Sequence, residues 1–438
     1  MIFFTCKGEA LANLNLNTSS ISQTVASGSR SIATELSCLS STTNSEAFSV
    51  EKNLCTSLKP SSTLKIPFRY INGFLIVDVL VNERLPLSFI FDTGSKHTIL
   101  TDENFIPFLG QLPEEEIQIV GSDLSIPITG HIMRRTSLSV GEVDLENQSL
   151  ILLDGGILDL NVLTGEDIHG ILGIGAFGAY AVKINYQTGT IELFEAESFR
   201  PSKKAITVPI RVEKSKAYVD IEAEIHPGKT QQLSLLLDSG ASLSMLIHVA
   251  QADSTLFPPR LVTGTFGYGL GGYLEGYVGR SDFVHVGPID LPGIITHFQV
   301  LSDVNTLADI PTREGIIGNG ILDRFTVIID FPSKELHLVP IRHRQRRAKY
   351  DRSGLRLVRD GAKLDELRVQ HIVKGSPADL AGISVGDELL KVGIYPIKMK
   401  SLSGIESMLR GKVGRSVRLL MRSDAVETQK IITLKELI

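Results

Sequence analysis

Tryptophan is absent from this 438-residue chain, and cysteine occurs only at Cys6, Cys38 and Cys55. Beyond residue 55 there is therefore no disulfide framework, no cysteine-based zinc site and no cysteine nucleophile. Long apolar runs are missing too. None approaches the roughly 20 residues that span a bilayer, so no integral membrane segment is expected. The ten histidines are scattered with no His-Glu-x-x-His helix, and neither Gly-x-Ser-x-Gly nor Gly-Asp-Ser-Gly-Gly occurs. No metal or cofactor is expected, and the common serine-hydrolase signatures are excluded.

What is present is an uneven distribution of charge. The formal net charge is −5, yet residues 64–341 carry 19 basic and 34 acidic side chains, while 342–352 carry six and one and 353–438 carry 15 and 10. An acidic body repels nucleic acid and mildly attracts cationic peptides. The length suggests two or three domains.

Residues 1–63 contain 22 Ser and Thr and little apolar periodicity, and are expected to be disordered. Met1–Cys6 has an apolar patch but neither the basic nor the long apolar region of a signal peptide. From Leu64 the texture turns to short β-type runs punctuated by Gly, Pro and Asn, including Leu75–Val81 and Leu87–Phe91, which ends at Asp92.

An internal repeat organises this region. Phe91-Asp92-Thr93-Gly94-Ser95 returns as Leu237-Asp238-Ser239-Gly240-Ala241 at an offset of 146. Gly170-Ile171-Leu172-Gly173-Ile174-Gly175 returns as Gly315-Ile316-Ile317-Gly318-Asn319-Gly320 at 145. Val182–Asn185 and Thr190–Phe194 return as Val327–Asp330 and Glu335–Val339. Two copies of one β unit are expected, over 64–200 and 201–341. After a basic linker, 342–352, read as solvated, comes a third unit at 353–438. It mixes strands near 355–358, 367–373, 388–392, 415–422 and 428–434 with helices near 377–381 and 403–410. Ser376-Pro377 opens the first helix, and Ser403…Glu406 has capping-box spacing.

A carboxylate at the end of a buried strand is costly unless it is hydrogen-bonded or functional. If the two units face each other, Asp92 and Asp238 meet on their pseudo-twofold axis, and the hydroxyls of Thr93 and Ser239 reach across to the opposite loop. Adjacent buried carboxylates cannot both ionise, so they share one proton, one serving as base and the other as acid. Ser95 is expected to donate to Asp92, biasing it toward the ionised base, whereas Ala241 has no such donor for Asp238.

These residues resemble the retropepsin and pepsin-type aspartic proteases. Each Asp-[Thr/Ser]-Gly is followed 81 or 80 residues later by a glycine, Gly173 or Gly318, preceded by Ile171-Leu172 or Ile316-Ile317. The resemblance implies a mainly β fold of two retropepsin-like β-barrel lobes in a pepsin-like bilobal arrangement. It also implies that the glycine elements complete the Asp loops, with Asp92 and Asp238 catalytic in a single active chain. A flap is expected at Gly264–Gly276, including Gly267, Tyr268, Gly269, Gly271 and Gly272, with Val120–Gly130 as its less glycine-rich counterpart in the first lobe. Gly267-x-Gly269-x-x-Gly272 matches a dinucleotide fingerprint only formally, because no βαβ unit surrounds it.

Residues Val369–Leu390, with Gly375-Ser376-Pro377-Ala378, Ala381-Gly382 and Gly386-Asp387, resemble a PDZ domain. The resemblance extends to bacterial aspartyl proteases that carry such a domain, α+β in fold, at their C-terminus. Its carboxylate loop is expected at Gly354-Leu355-Arg356-Leu357, with Arg356 where a second glycine is usual. A free C-terminus, an internal peptide and a purely docking role all remain open. The family favours the cell envelope, periplasm or secretion. Two functions fit: an aspartic endopeptidase acting on peptides or proteins, or a catalytically inactive scaffold of the same fold that binds peptides through its PDZ domain.

Overall fold

The apolar runs Phe74–Val81 and Leu85–Asp92 pair antiparallel, with Ile76 opposite Ile90 and Val81 opposite Leu85. Leu85–Asp92 is almost continuously apolar because both of its faces are covered. Phe89 and Phe91 enter one core cluster, while Ile90 joins Ile76, Ile99 and Ile171 in another. The computed structural model describes Cys6–Lys7 and residues 63–438, except 111, 121–126, 155–157, 159, 251–256, 270–271, 302–313, 346 and 361–364. The expectation of disorder for 1–63 thus lies outside the described residues, apart from Cys6–Lys7 and Thr63. Cys6 and Lys7 pair antiparallel with Ile119 and Gln118.

Two sheets close on themselves. In the first, Phe74–Val81 pairs also with Pro127–Val140; in the second, Lys216–His226 pairs also with Gly272–Val286. In each sheet the strand leading to Asp lies parallel to the glycine element. Gly170–Gly173 runs beside Phe89–Asp92, and Gly315–Ile317 runs beside Leu235–Leu237. The repeat in sequence is therefore a repeat in topology, and the fold is mainly β with two related barrel lobes.

A third sheet joins the lobes in the order Ile206–Pro209, Glu335–Pro340, Phe325–Asp330, Tyr180–Asn185, Thr190–Glu195, Leu64–Pro67. At its centre Ala181–Asn185 pairs antiparallel with Thr326–Asp330. One apolar cluster runs from Ile66 in the first lobe to Leu338 in the second.

The C-terminal unit is a separate α+β sheet with its own core of Leu357, Val369, Leu389, Ile405, Leu419 and Met421. Helix Pro377–Leu380 begins at Ser376, whose hydroxyl accepts from Asp379 N. The expected cap of the second helix is corrected. Leu402–Leu409 is capped by Ser401, which accepts from Gly404 N; Ser403 lies inside the helix.

The reading of 342–352 as a solvated linker is also corrected. Arg344 pairs with Asp323, Gln345 donates to Arg324 O, and Arg352 pairs with Glu436. Tyr350 packs with Val373, Leu437 and Ile438 against Val262 and Val278 of the second lobe. The connection is thereby pinned to both units that it joins. No helix among the described residues is long and apolar enough to cross a membrane.

Candidate active site

Asp92 closes strand Leu85–Asp92, opposite Gly173, and Asp238 follows strand Lys229–Leu237, its amide donating to Ile317 O at 2.9 Å. Both side chains are fully buried where the lobes meet. The glycine after each aspartate is required by the opposite carboxylate. A methyl group built on Gly94 would lie 2.7 Å from Asp238 Cγ, and one on Gly240 would collide with Asp92. Any other residue would force the loops apart.

Thr93 and Ser239 lock this contact. Thr93 Oγ1 donates to Leu237 O and Ser239 Oγ donates to Phe91 O, both at 2.8 Å. Each hydroxyl also accepts the other residue's amide, Thr93 N to Ser239 Oγ at 3.0 Å and Ser239 N to Thr93 Oγ1 at 2.9 Å. Four uncharged bonds thus cross the seam beside the two carboxyl groups.

The expected role of the Ser95 hydroxyl is corrected. It donates to His97 O at 2.8 Å, bracing its own loop. Asp92 Oδ1 receives main-chain amides instead, from Gly94 at 2.7 Å and Ser95 at 3.2 Å. Burial, followed by the adjacent Asp238 carboxylate, still holds the Asp92 carboxyl well above the usual carboxylate range; the Gly94 amide pulls weakly the other way. The bias toward an ionised Asp92 thus loses its side-chain donor, and the pair titrates as a unit.

The glycine elements pack against the Asp loops without room for side chains. Gly173 abuts the His97 backbone, and Gly318 abuts the carbonyls of Leu243 and Ala241. Ile171, Leu172, Ile316, Ile317 and Ala241 are buried beside them. Burial first, and then Lys96, lowers the His97 imidazole to about 4, so the ring is neutral near pH 7.

Sequence reasoning overlooked Asn319. This fully buried side chain donates from Nδ2 to Gly73 O at 2.7 Å and to Ser239 O at 2.6 Å, and its Oδ1 accepts from Tyr186 Oη at 2.7 Å. It ties the second Asp loop to the first lobe. The available signal was the broken symmetry of the repeat, where the first copy has Ile174.

Leu261–Gly269 and Gly272–Val286 form an antiparallel hairpin with Gly269 opposite Gly272. Gly267 and Tyr268 lie on its first strand, and Gly271 lies outside the described residues. Glu115–Val120 and Pro127–Val140 form the first lobe's hairpin. In the C-terminal unit, Gly354 precedes edge strand Leu355–Asp360, which carries Leu355, Arg356 and Leu357 and has a bulge between the last two.

Two carboxyl groups lie at the seam of two duplicated β barrels, and a separate small α+β domain follows them in the chain. Residues 77–176 match the family model for aspartyl proteases, and residues 368–423 match that for the PDZ domain. The chain thus carries a segment similar to aspartyl proteases, followed by one similar to PDZ domains. A crystal structure of aspartic proteinase from Irpex lacteus is similar over 64% of this chain and 97% of that chain, at 15% identity and a TM-score of 0.38. No curated protein matches the chain.

Proposed function

We propose that the protein is an aspartic-type endopeptidase whose single chain supplies both halves of the catalytic pair. The shared-proton state of Asp92 and Asp238 is the working state. The ionised carboxylate takes a proton from a water, whose oxygen attacks the substrate carbonyl, while the protonated partner gives its proton to the carbonyl oxygen. Return of a proton to the amide nitrogen then lets the C–N bond break and the amine leave. The observation that carries this reading is the mutual contact of each aspartate with the glycine of the opposite loop, inside a seam held by uncharged hydrogen bonds.

Cleavage of a peptide library, followed by mass spectrometry from acid to neutral pH, tests it. The wild-type chain cleaves, and Asp92→Asn and Asp238→Asn do not. A wild-type chain that cuts nothing over that range, with or without its PDZ domain, transfers the function to the peptide-binding scaffold.

A further inference from the structure

The basic run 342–352 takes no part in the chemistry at Asp92 and Asp238, yet it lines a cavity of about 610 Å³. Three parts of the chain meet around this space. The second lobe supplies Arg260 and Arg280, the run itself Arg347, Lys349 and Arg352, and the end of the C-terminal domain Glu436. Asp282 is the other carboxylate on the wall, so five cationic side chains stand against two acids.

Few of these cations are matched. Arg352 pairs with Glu436 and donates from Nη1 to Arg410 O and Gly411 O, so Glu436 is already engaged. Asp282 is exposed and forms no ion pair among the described residues. Arg260, Arg347 and Lys349 likewise make no side-chain hydrogen bond or ion pair among the described residues. Three full positive charges are left over at one place.

Arg280 shows that this is more than a solvated surface. Its side chain is nine-tenths buried, and its Nη1 donates to Gly293 O and Ala348 O. Its Nε is buried with no hydrogen-bond partner among the described residues. Arg347 lies over the same glycine, because a methyl built on Gly293 would sit 2.6 Å from Arg347 Nε. Two guanidinium groups are thus gathered at one residue with no carboxylate bonded to either. Burial first, and then Arg347, lowers the Arg280 guanidinium from its ordinary pKa, while Glu436 pulls the other way. Like charges held together in a half-closed site lack a counter-charge that a bound anion would supply.

We propose that this cavity binds a polyvalent phosphate, with Arg280 and Arg347 as its principal contacts and Arg260 and Lys349 adding charge. Planar guanidinium groups match the oxygens of a phosphate in pairs, and an excess of three positive charges calls for an anion with more than one negative charge. The volume is that of a small-molecule site. Since the walls belong to three parts of the chain, the bound anion would tie the second lobe and the connection to the C-terminal domain. The phosphate chemistry is the same whether the group is free in solution or carried on a lipid headgroup.

The test uses the full chain with tripolyphosphate as the probe, in isothermal titration calorimetry at fixed ionic strength. One tripolyphosphate is expected to bind per chain, with a melting temperature that rises with its concentration. Arg347→Gln and Arg260→Gln, both at exposed and unbonded positions, each weaken binding about tenfold or more. The double variant Lys203→Gln with Lys204→Gln, exposed and outside the cavity, leaves binding unchanged. Phosphatidylcholine vesicles containing phosphatidylinositol 4,5-bisphosphate separate the two sources. Sedimentation with them that Arg347→Gln weakens and tripolyphosphate reverses assigns the phosphate to a headgroup, and no sedimentation assigns it to a soluble molecule.

The proposal is overturned if tripolyphosphate does not bind, or if Arg347→Gln and Arg260→Gln leave its affinity unchanged. A loss as large in the Lys203 and Lys204 variant also overturns it, because diffuse attraction then explains the binding. None of these outcomes depends on whether the chain cleaves peptides.

Discussion

Thr93 and Ser239 exchange hydrogen bonds reciprocally across the lobe seam, each donating its hydroxyl to a carbonyl of the other strand and accepting the other's amide. The spacing of the two carboxyl groups is therefore set by neutral neighbours, and repulsion between the carboxylates acts against an already braced frame.

Thr93→Val and Ser239→Ala each leave buried polar groups unsatisfied, at a cost of about 1–3 kcal/mol. Urea denaturation of the two single variants and the double variant is expected to give strongly non-additive losses, since both hydroxyls belong to one network. On the proposed protease function, displacement of the carboxyl pair is expected to lower kcat by roughly a hundredfold in either single variant.

The pH dependence follows from Asp92. Its carboxyl is held well above the usual range by burial and by Asp238. A raised acid favours the folded state below its unfolded pKa, and that advantage is lost as pH rises through the folded value. Asp92→Asn is therefore expected to be more stable than wild type near neutral pH, with the difference shrinking toward zero in strong acid. Melting temperatures across pH check this. The wild-type rate should persist above the ordinary carboxylate range and fall when the pair loses its last proton.

Asn319→Leu removes both bonds that tie Gly73 and Ser239 together and strands the Tyr186 hydroxyl. A stability loss of about 2–4 kcal/mol is expected. Asn319→Asp keeps the shape but replaces two donors by an acceptor beside the dyad. It should lower kcat more than its melting temperature alone explains, and steady-state kinetics with parallel thermal scans separates the two effects.

The PDZ domain touches the second lobe's hairpin, Leu261–Gly269 with Gly272–Val286, through His371, whose Nε2 lies 3.2 Å from Thr263 O, over Gly264. With Nε2 protonated the imidazole donates to that carbonyl. His371→Ala gives up a bond of about 0.5–1.5 kcal/mol. Hydrogen exchange over 261–269 should quicken by up to about tenfold, while the core strand Leu85–Asp92 is unchanged.

The sequence exposed those features that repetition or punctuation records. The Asp loops and the glycine elements recur at a nearly constant offset, and the PDZ strands are separated by Gly, Pro and Ser. Contacts between distant segments left fainter traces. The Ser95 hydroxyl turns to His97 O, while Asp92 Oδ1 takes the main-chain amides of Gly94 and Ser95. The helix at Leu402 takes Ser401 as its cap, two residues before the serine that the spacing suggested. The basic run 342–352 looked solvated because its partners, Asp323, Arg324 O and Glu436, lie outside it in sequence.

The sheet that joins the lobes has a further consequence. Strand Tyr180–Asn185 of one copy and Phe325–Asp330 of the other are neighbours in a single ladder, flanked on each side by strands from their own copies. Each half is thus finished by a covalently attached partner, and assembly of the carboxyl pair carries no bimolecular term. An enzyme assembled from two separate lobes would fade on dilution, whereas turnover per molecule here is expected to be independent of protein concentration.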